Sequence, residues 1–359
     1  MRPKLPLCLV FCIFLLQPVG LPAQATGTVA GQAVAAEDGA PIPYSLIHLL
    51  AAGGDAGPIG ALLTDAQGRF RFTSVAPGSY RLRLARIGYE SQPSPTLAVT
   101  AGEVVKHTLR SRTVPVQLEG LTVRPVRSCF TLAQLQDEAP DLAVLWREAQ
   151  KGVETRAAFE RQYRFTYDLH HEGVTDMRFG RDRTFSRDST IVSRPDSVLA
   201  RMQRRRADRE GGYARERLRS FTLSVPDDRE LLEDEFLVDH CLESEILPAD
   251  GAIGLRFRPV SARSDRVDVA GVLWLEEDSF LVRGIDVTFL RGRSSMGESR
   301  ILYADTAVPG GRIRLPWRTW IQARPGGGMR MVVAGFENSW ERRNMRDIEI
   351  DAAQTGGDG

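Results

Sequence analysis

The sequence predicts a mainly β protein: an N-terminal β-sandwich, then an α+β domain built on a curved antiparallel sheet with one or two short helices. Three observations carry this expectation. Apolar residues recur with a period of two along most of the chain, so each run buries one face. The runs follow one another as hairpins, without the crossover helices that parallel sheets require. Helical spacing is confined to a stretch after Cys129.

The chain opens with a secretory pattern. Arg2 and Lys4 precede an apolar run from Leu5 to Val19, and Ala23-Gln24-Ala25 gives the small-x-small cleavage site. A signal peptide over 1–25 and a mature start at Thr26 are expected. The run is short for a membrane-spanning helix, and no later stretch is longer. The sandwich is expected over 26–112. There Ser45, Ile47 and Leu49 alternate toward one face, and Asp65-Ala66-Gln67-Gly68 turns the chain. Phe70 and Phe72 oppose Arg69 and Arg71; after Pro77-Gly78, Tyr80, Leu82 and Leu84 oppose Arg81 and Arg83. Such alternation at short spacing favours a sandwich with one buried face per strand.

A linker is expected over 113–128, where Pro115 and Pro125 interrupt an extended stretch. The second domain should span 129–348. Thr131 and Gln134 have capping-box spacing, and Pro140 suits the first turn of a second helix. Leu142, Leu145, Trp146 and Ala149 form its apolar stripe, with Gly152 as a stop or kink. Strands follow. Tyr163, Phe165, Tyr167 and Leu169 share one face, and His170-His171-Glu172 should end a hairpin at Gly173. Gly271–Leu275, an acidic turn, and Leu281–Leu290 read as a hairpin. Ile313, Leu315, Trp317, Thr319 and Ile321 are expected on one face. The Gly- and Asp-rich tail, 349–359, is expected to be disordered.

The order Gly39-x-Pro41-x-Pro43, then Thr64-Asp65-x-x-Gly68-x-Phe70-x-Phe72-x-x-Val75-x-Pro77-Gly78-x-Tyr80-x-Leu82, then Gly88-Tyr89, resembles the carboxypeptidase regulatory-like domain. The resemblance covers residues 27–110. It implies a seven-stranded, prealbumin-like accessory sandwich with no catalytic residues of its own. The second half resembles, more weakly, the lipoprotein-carrier group, in which a bent antiparallel sheet wraps helices and holds an acyl chain. That likeness rests on Gly271-x-Leu273-Trp274-Leu275, the acidic turn, Arg283, Ile285 and Val287, and Leu315-Pro316-Trp317. It implies an apolar cleft lined by Phe165, Tyr167, Leu169, Trp274, Ile285, Phe289, Trp317 and Ile321.

Charge and motifs narrow the function classes. Lys and Arg total 47 against 46 Asp and Glu, a net charge of +1, which supplies no global field for nucleic acid. His240-x-x-Glu243 has the spacing of two zinc ligands, but no histidine follows to complete a site. His170 and His171 point to opposite faces of a strand and would not chelate one ion. No Gly-x-Ser-x-Gly elbow is present. Gly326-Gly327-Gly328 lacks the lysine of a phosphate loop and reads as a turn. The basic run Arg201–Arg219 reads as a solvated surface laced with ion pairs. Cys129 and Cys241, the cysteines left after the leader, form an even pair in an oxidising compartment, where a disulfide is expected.

These readings converge on an exported, non-enzymatic protein, periplasmic, outer-membrane associated or secreted, with no cofactor and no metal. The expected partner is a lipid, lipoprotein or outer-membrane protein. The rival is a glycan, which would require an exposed aromatic platform with nearby Asp and Asn. Nucleic acid is not expected.

Overall fold

The computed structural model describes residues 25–53, 57–114, 130–177, 181–194, 212–217, 220–247, 251–308, 311–323 and 333–350. The expected leader, Cys129, the core of the linker, most of the Arg201–Arg219 run, the triple glycine and the tail beyond Ile350 lie outside the described residues.

The first seven strands are β1 (Gly27–Ala35), β2 (Leu46–Ala51), β3 (Gly60–Leu63), β4 (Arg69–Val75), β5 (Gly78–Ala85), β6 (Leu97–Val99) and β7 (Val104–Ser111). They form two sheets, ordered β4-β1-β7 and β3-β2-β5-β6. Alternation sorts the side chains: Phe70, Phe72, Leu82 and Leu84 meet Val29, Ile47 and Leu109 in one buried cluster. The predicted turn at Asp65 is held by its own carboxylate, which accepts from the Gln67 and Arg69 amides at 2.9 and 2.8 Å. β1 pairs with β7 in parallel, although the two lie at opposite ends of the sandwich sequence.

Two helices follow, α1 (Leu132–Glu138) and α2 (Pro140–Gln162). At α1 the Thr131 amide donates to Gln134 Oε1 at 3.1 Å, the backbone half of the expected capping box. α2 runs for 23 residues and continues through Gly152, so it is neither short nor stopped there. The glycine serves packing instead. A Cβ at 152 would lie 3.1 Å from Ile87 Cδ1 of the sandwich and 3.3 Å from Leu281 Cδ2 of the turn between Glu276 and Val282 in the second domain.

The remaining chain supplies β8 (Tyr163–Met177), β9 (Arg183–Ser193), a small ribbon of β10 (Ala214–Arg217) and β11 (Ser220–Leu223), then β12 (His240–Leu247), β13 (Ala252–Pro259), β14 (Val267–Glu276), β15 (Val282–Arg291), β16 (Ser294–Val308), β17 (Gly311–Ala323) and β18 (Val333–Ile350). Apart from the ribbon, these form one nine-stranded antiparallel sheet, ordered β12-β13-β14-β15-β16-β17-β18-β8-β9. The expected hairpin is β14–β15. β8 does not end at Gly173, which pairs with Asn338 on one side and Phe185 on the other.

One face of this sheet is covered. Leu142, Leu145 and Trp146 of α2 pack with Leu255, Phe257, Leu273, Ile285 and Phe289. Phe159, near the end of α2, packs instead into a cluster shared by both halves of the molecule. Tyr44, Leu46, Leu63 and Ala85 come from the sandwich, and Phe165, Tyr167 and Leu315 from the large sheet. Polar contacts reinforce this junction: Lys151 Nζ donates to Tyr89 O at 3.2 Å, and the Leu63 amide donates to Gln162 Oε1 at 3.2 Å. α2 is therefore part of two cores at once.

A buried ionic cluster ties α2 to the short helix Asp228–Leu231. Arg156 holds Asp228 in a two-pronged pair and reaches Glu160 at 3.3 Å, while Arg229 donates to Glu160 at 2.8 Å. Burial alone would push the Arg156 guanidinium down, but Asp228 and Glu160 together hold it above its ordinary value. Among the described residues, no helix is long and apolar enough to cross a membrane.

Candidate functional site

The second face of the large sheet carries the opposite half of each strand's alternation. Register brings one residue from each of seven strands into a row: Arg256, Val272, Asp286, Arg300, Trp320, Ser339 and Glu172. Beside it run Trp274, Gly284, Leu302, Arg318, Glu341 and His170, and on the other flank Thr288, Glu298, Gln322, Glu337 and Val174. Two depressions open on this face. One, of about 720 Å³, is lined by Arg256, Asp286, Thr288, Glu298, Arg300, Leu302, Arg318 and Trp320 among others. The other, of about 430 Å³, includes Glu172, Val174, Thr184, Arg318, Trp320, Glu337 and Asn338. Arg318 and Trp320 belong to both.

The side chains here are fixed by their neighbours. Trp320 Nε1 donates to Glu337 Oε1 at 2.7 Å, and Trp274 Nε1 donates to Asp286 Oδ2 at 2.9 Å. The other oxygen of Asp286 accepts from Arg300 Nε at 2.5 Å, and that bond raises the guanidinium above its usual value. Ser339 Oγ donates to Glu172 Oε1 at 3.2 Å. Trp274 lies close over the backbone because position 254 is glycine. A Cβ there would sit 2.8 Å from Trp274 Cζ3. The result is two indoles with tethered N–H groups, set among carboxylates, guanidinia, a hydroxyl and a carboxamide. Trp320, which lines both depressions, keeps its ring for stacking while its polar edge is already satisfied.

At one end of the same face, Asp168 on β8 accepts both prongs of Arg346 at 3.0 Å, Asn344 at 3.2 Å and Thr190 at 3.0 Å. These bonds, Arg346 first, pull its carboxyl down to about 2. A carboxyl lowered in the folded state contributes stability above its unfolded value, and loses it as pH falls through about 2. An NMR titration of Asp168 should show that low midpoint, and Arg346→Ala should return it toward the ordinary aspartate range. A midpoint unchanged by the substitution would contradict the assignment.

The residues expected to line one apolar cleft are distributed over several places. Phe165, Tyr167 and Leu169 join the cluster at the sandwich junction. Ile285, Phe289 and Ile321 are buried under the helices, the first two with no exposed surface. Trp274 is on the opposite face, as alternation with Leu273 and Leu275 requires. Trp317 leaves the expected single face of β17, because the ladder skips there: Leu302 pairs with Arg318 and Tyr303 with Pro316. Pro316 has no N–H for the ladder, which suits a bulge at this point. His240 and Glu243 diverge. His240 stacks on Phe236 at 3.9 Å and lies 3.0 Å from Asp268, out of line for a hydrogen bond, whereas Glu243 pairs with Arg258 at 3.0 Å. His170 and His171 do point apart, to Asp188 at 2.8 Å and to the Trp340 ring at 4.7 Å. Cys241 is disulfide-bonded.

Residues 28–112 match the family model of the carboxypeptidase regulatory-like domain. In this chain the regulatory-like domain is the two-sheet sandwich, and it reaches the large sheet through α2. No curated protein matches the sequence. Among solved structures, a minor pilin of Streptococcus agalactiae is 19% identical, covers 26% of this chain and 47% of its own, with a TM-score of 0.23. The group B streptococcus pilus 2b backbone protein is 18% identical over 24% of this chain and 41% of its own, at 0.22. The chain thus spans less than half the length of either pilus protein. A LolA superfamily protein from Nitrosomonas europaea is 12% identical, covers 58% of this chain and 98% of its own, at 0.26. Scores this low carry no argument about function.

Proposed function

We propose that this is an exported, non-enzymatic accessory protein of the cell envelope that binds glycan on the open face of its large sheet. The observation that carries the reading is the pair of tethered indoles, Trp274 and Trp320, beside Asp286, Arg300, Glu337 and Asn338. A pyranose ring offers an apolar C–H face and a rim of hydroxyls. An indole face takes the first, and charged groups with fixed geometry take the second, in charge-assisted hydrogen bonds.

The acyl-chain reading is less well supported, because Ile285 and Phe289, on which it relied, are packed against the helices with no surface left to offer. The sandwich fits an accessory role, since the family it matches is described as regulatory-like.

The test is retention on immobilised polysaccharides, followed by tryptophan fluorescence with the glycans that retain the protein. Trp320→Ala should abolish retention while far-ultraviolet circular dichroism stays unchanged. Equal retention of the variant, or no retention of either protein together with a shift on adding acylated peptide, would overturn the glycan reading in favour of a lipoprotein partner.

A further inference from the structure

The two depressions share a wall. Arg318 and Trp320 line both, so the indole of Trp320 stands between them and neither is a closed pocket for one sugar. Polar groups continue on each side: Asp286, Arg300 and Arg256 one way, Ser339 and Glu172 the other. Building on the glycan reading, we infer that the groove takes an extended, uncharged polysaccharide chain lying across the strands, with Trp320 as its central stacking platform.

Length and charge carry this inference. From Arg256 on β13 to Glu172 on β8 the row crosses six strand spacings of about 4.8 Å, roughly 29 Å in all. One strand spacing is close to the advance of one sugar in a pyranose chain. The row therefore suits roughly five or six residues, one per spacing. The charged groups lining the two depressions are Arg256, Arg300 and Arg318 against Asp286, Glu298, Glu172 and Glu337. Three positive charges against four negative ones leave a slight excess of carboxylate, which disfavours polyuronates and sulfated chains. Carboxylates and guanidinia in near balance suit hydroxyl-rich neutral chains, whose groups both donate and accept.

The experiment is calorimetric titration of the whole protein with neutral oligosaccharides of one to six residues, in the cello-, xylo-, manno- and malto- series, and with oligogalacturonates as the acidic comparison. In the series that binds, affinity should rise at least about tenfold from disaccharide to hexasaccharide, at about 1.4 kcal/mol per decade. Oligogalacturonates should bind more weakly than neutral chains of equal length. Glu172→Ala, at one end of the row, should weaken the hexasaccharide severalfold and the disaccharide less. Trp320→Ala should remove both, and Trp320→Phe, which keeps a ring, should retain part of the binding. Disaccharide binding with no gain from length, or tighter binding of the acidic series, would overturn the extended neutral chain while leaving a glycan site at Trp320. Binding of none of the series would overturn the glycan reading itself.

Discussion

Replacing Arg156 with alanine is expected to destabilise the protein by about 3–5 kcal/mol, the cost of leaving buried charge without its partner. Arg156 is 4% exposed, and the carboxylates it holds, Asp228 and Glu160, are 2% and 8% exposed. Removing the guanidinium takes from Asp228 its two-pronged partner in a medium that solvates charge poorly, while Glu160 keeps its bond from Arg229. Burial raises the Asp228 carboxyl even with Arg156 beside it, so the substitution should drive it toward the protonated form. The exposed pair Arg164–Glu349, 3.7 Å apart, provides the contrast. Arg164→Ala should change stability by less than about 1 kcal/mol. Urea unfolding monitored by tryptophan fluorescence measures both. Equal midpoints for the two variants would remove the buried cluster from the list of structural supports.

The second large effect is expected on reduction. Cys241, at the start of β12, is disulfide-bonded, and we propose Cys129 as its partner. The residue after each forms a backbone bridge with the other: the Phe130 amide donates to Leu242 O at 3.0 Å, and the Leu242 amide donates back at 2.9 Å. The cross-link would close a loop of roughly 110 residues, worth about 4–5 kcal/mol in the chain-entropy account, less any strain. Cys241→Ser should lower the melting temperature as much as reducing the native protein does. Reduction should leave the variant's own melting temperature unchanged. Two thiols reacting in the denatured, unreduced mature protein would rule the pairing out.

Much of this fold is written in short-range pattern. The alternation of Phe70 with Arg71, or of Leu82 with Arg83, specifies a buried face within a few residues, and the structure uses that face. Leu142, Leu145 and Trp146 likewise mark the stripe of α2 that packs on the sheet. Where expectation and structure part, a longer-range cause is at work. Gly152 resembles a helix stop locally, but in the fold it lies close against two residues distant in sequence, Ile87 and Leu281. Counting in twos puts Trp317 on the face of Leu315 and Thr319, and a bulge beside Pro316 breaks that count.

The groove was partly legible. Trp274 lies between Leu273 and Leu275, and Trp320 between Thr319 and Ile321, so alternation alone sends both away from the covered face. That was the available signal. The row that gathers Arg256, Asp286, Arg300 and Glu172 around them depends on the pairing register of seven strands, which no local pattern encodes.

The place of β18 in the sheet has a consequence for biogenesis. It lies between β17 and β8, so the hairpin β8–β9, made early, joins the block β12–β17 only through the last strand described. A nascent chain can pair β12 through β17 by local hairpins, but the wall bearing Glu172 has nothing to dock on until residues 333–350 arrive. Closing contacts that far apart is slow, because loop entropy must be overcome before any pairing rewards it. A product interrupted before Val333 would keep Trp320 and Asp286, and would present half a groove beside an unpaired β17 edge. Such an edge is a template for aggregation and a handle for proteases. Topology thus makes the full row from Arg256 to Glu172 wait on the arrival of β18.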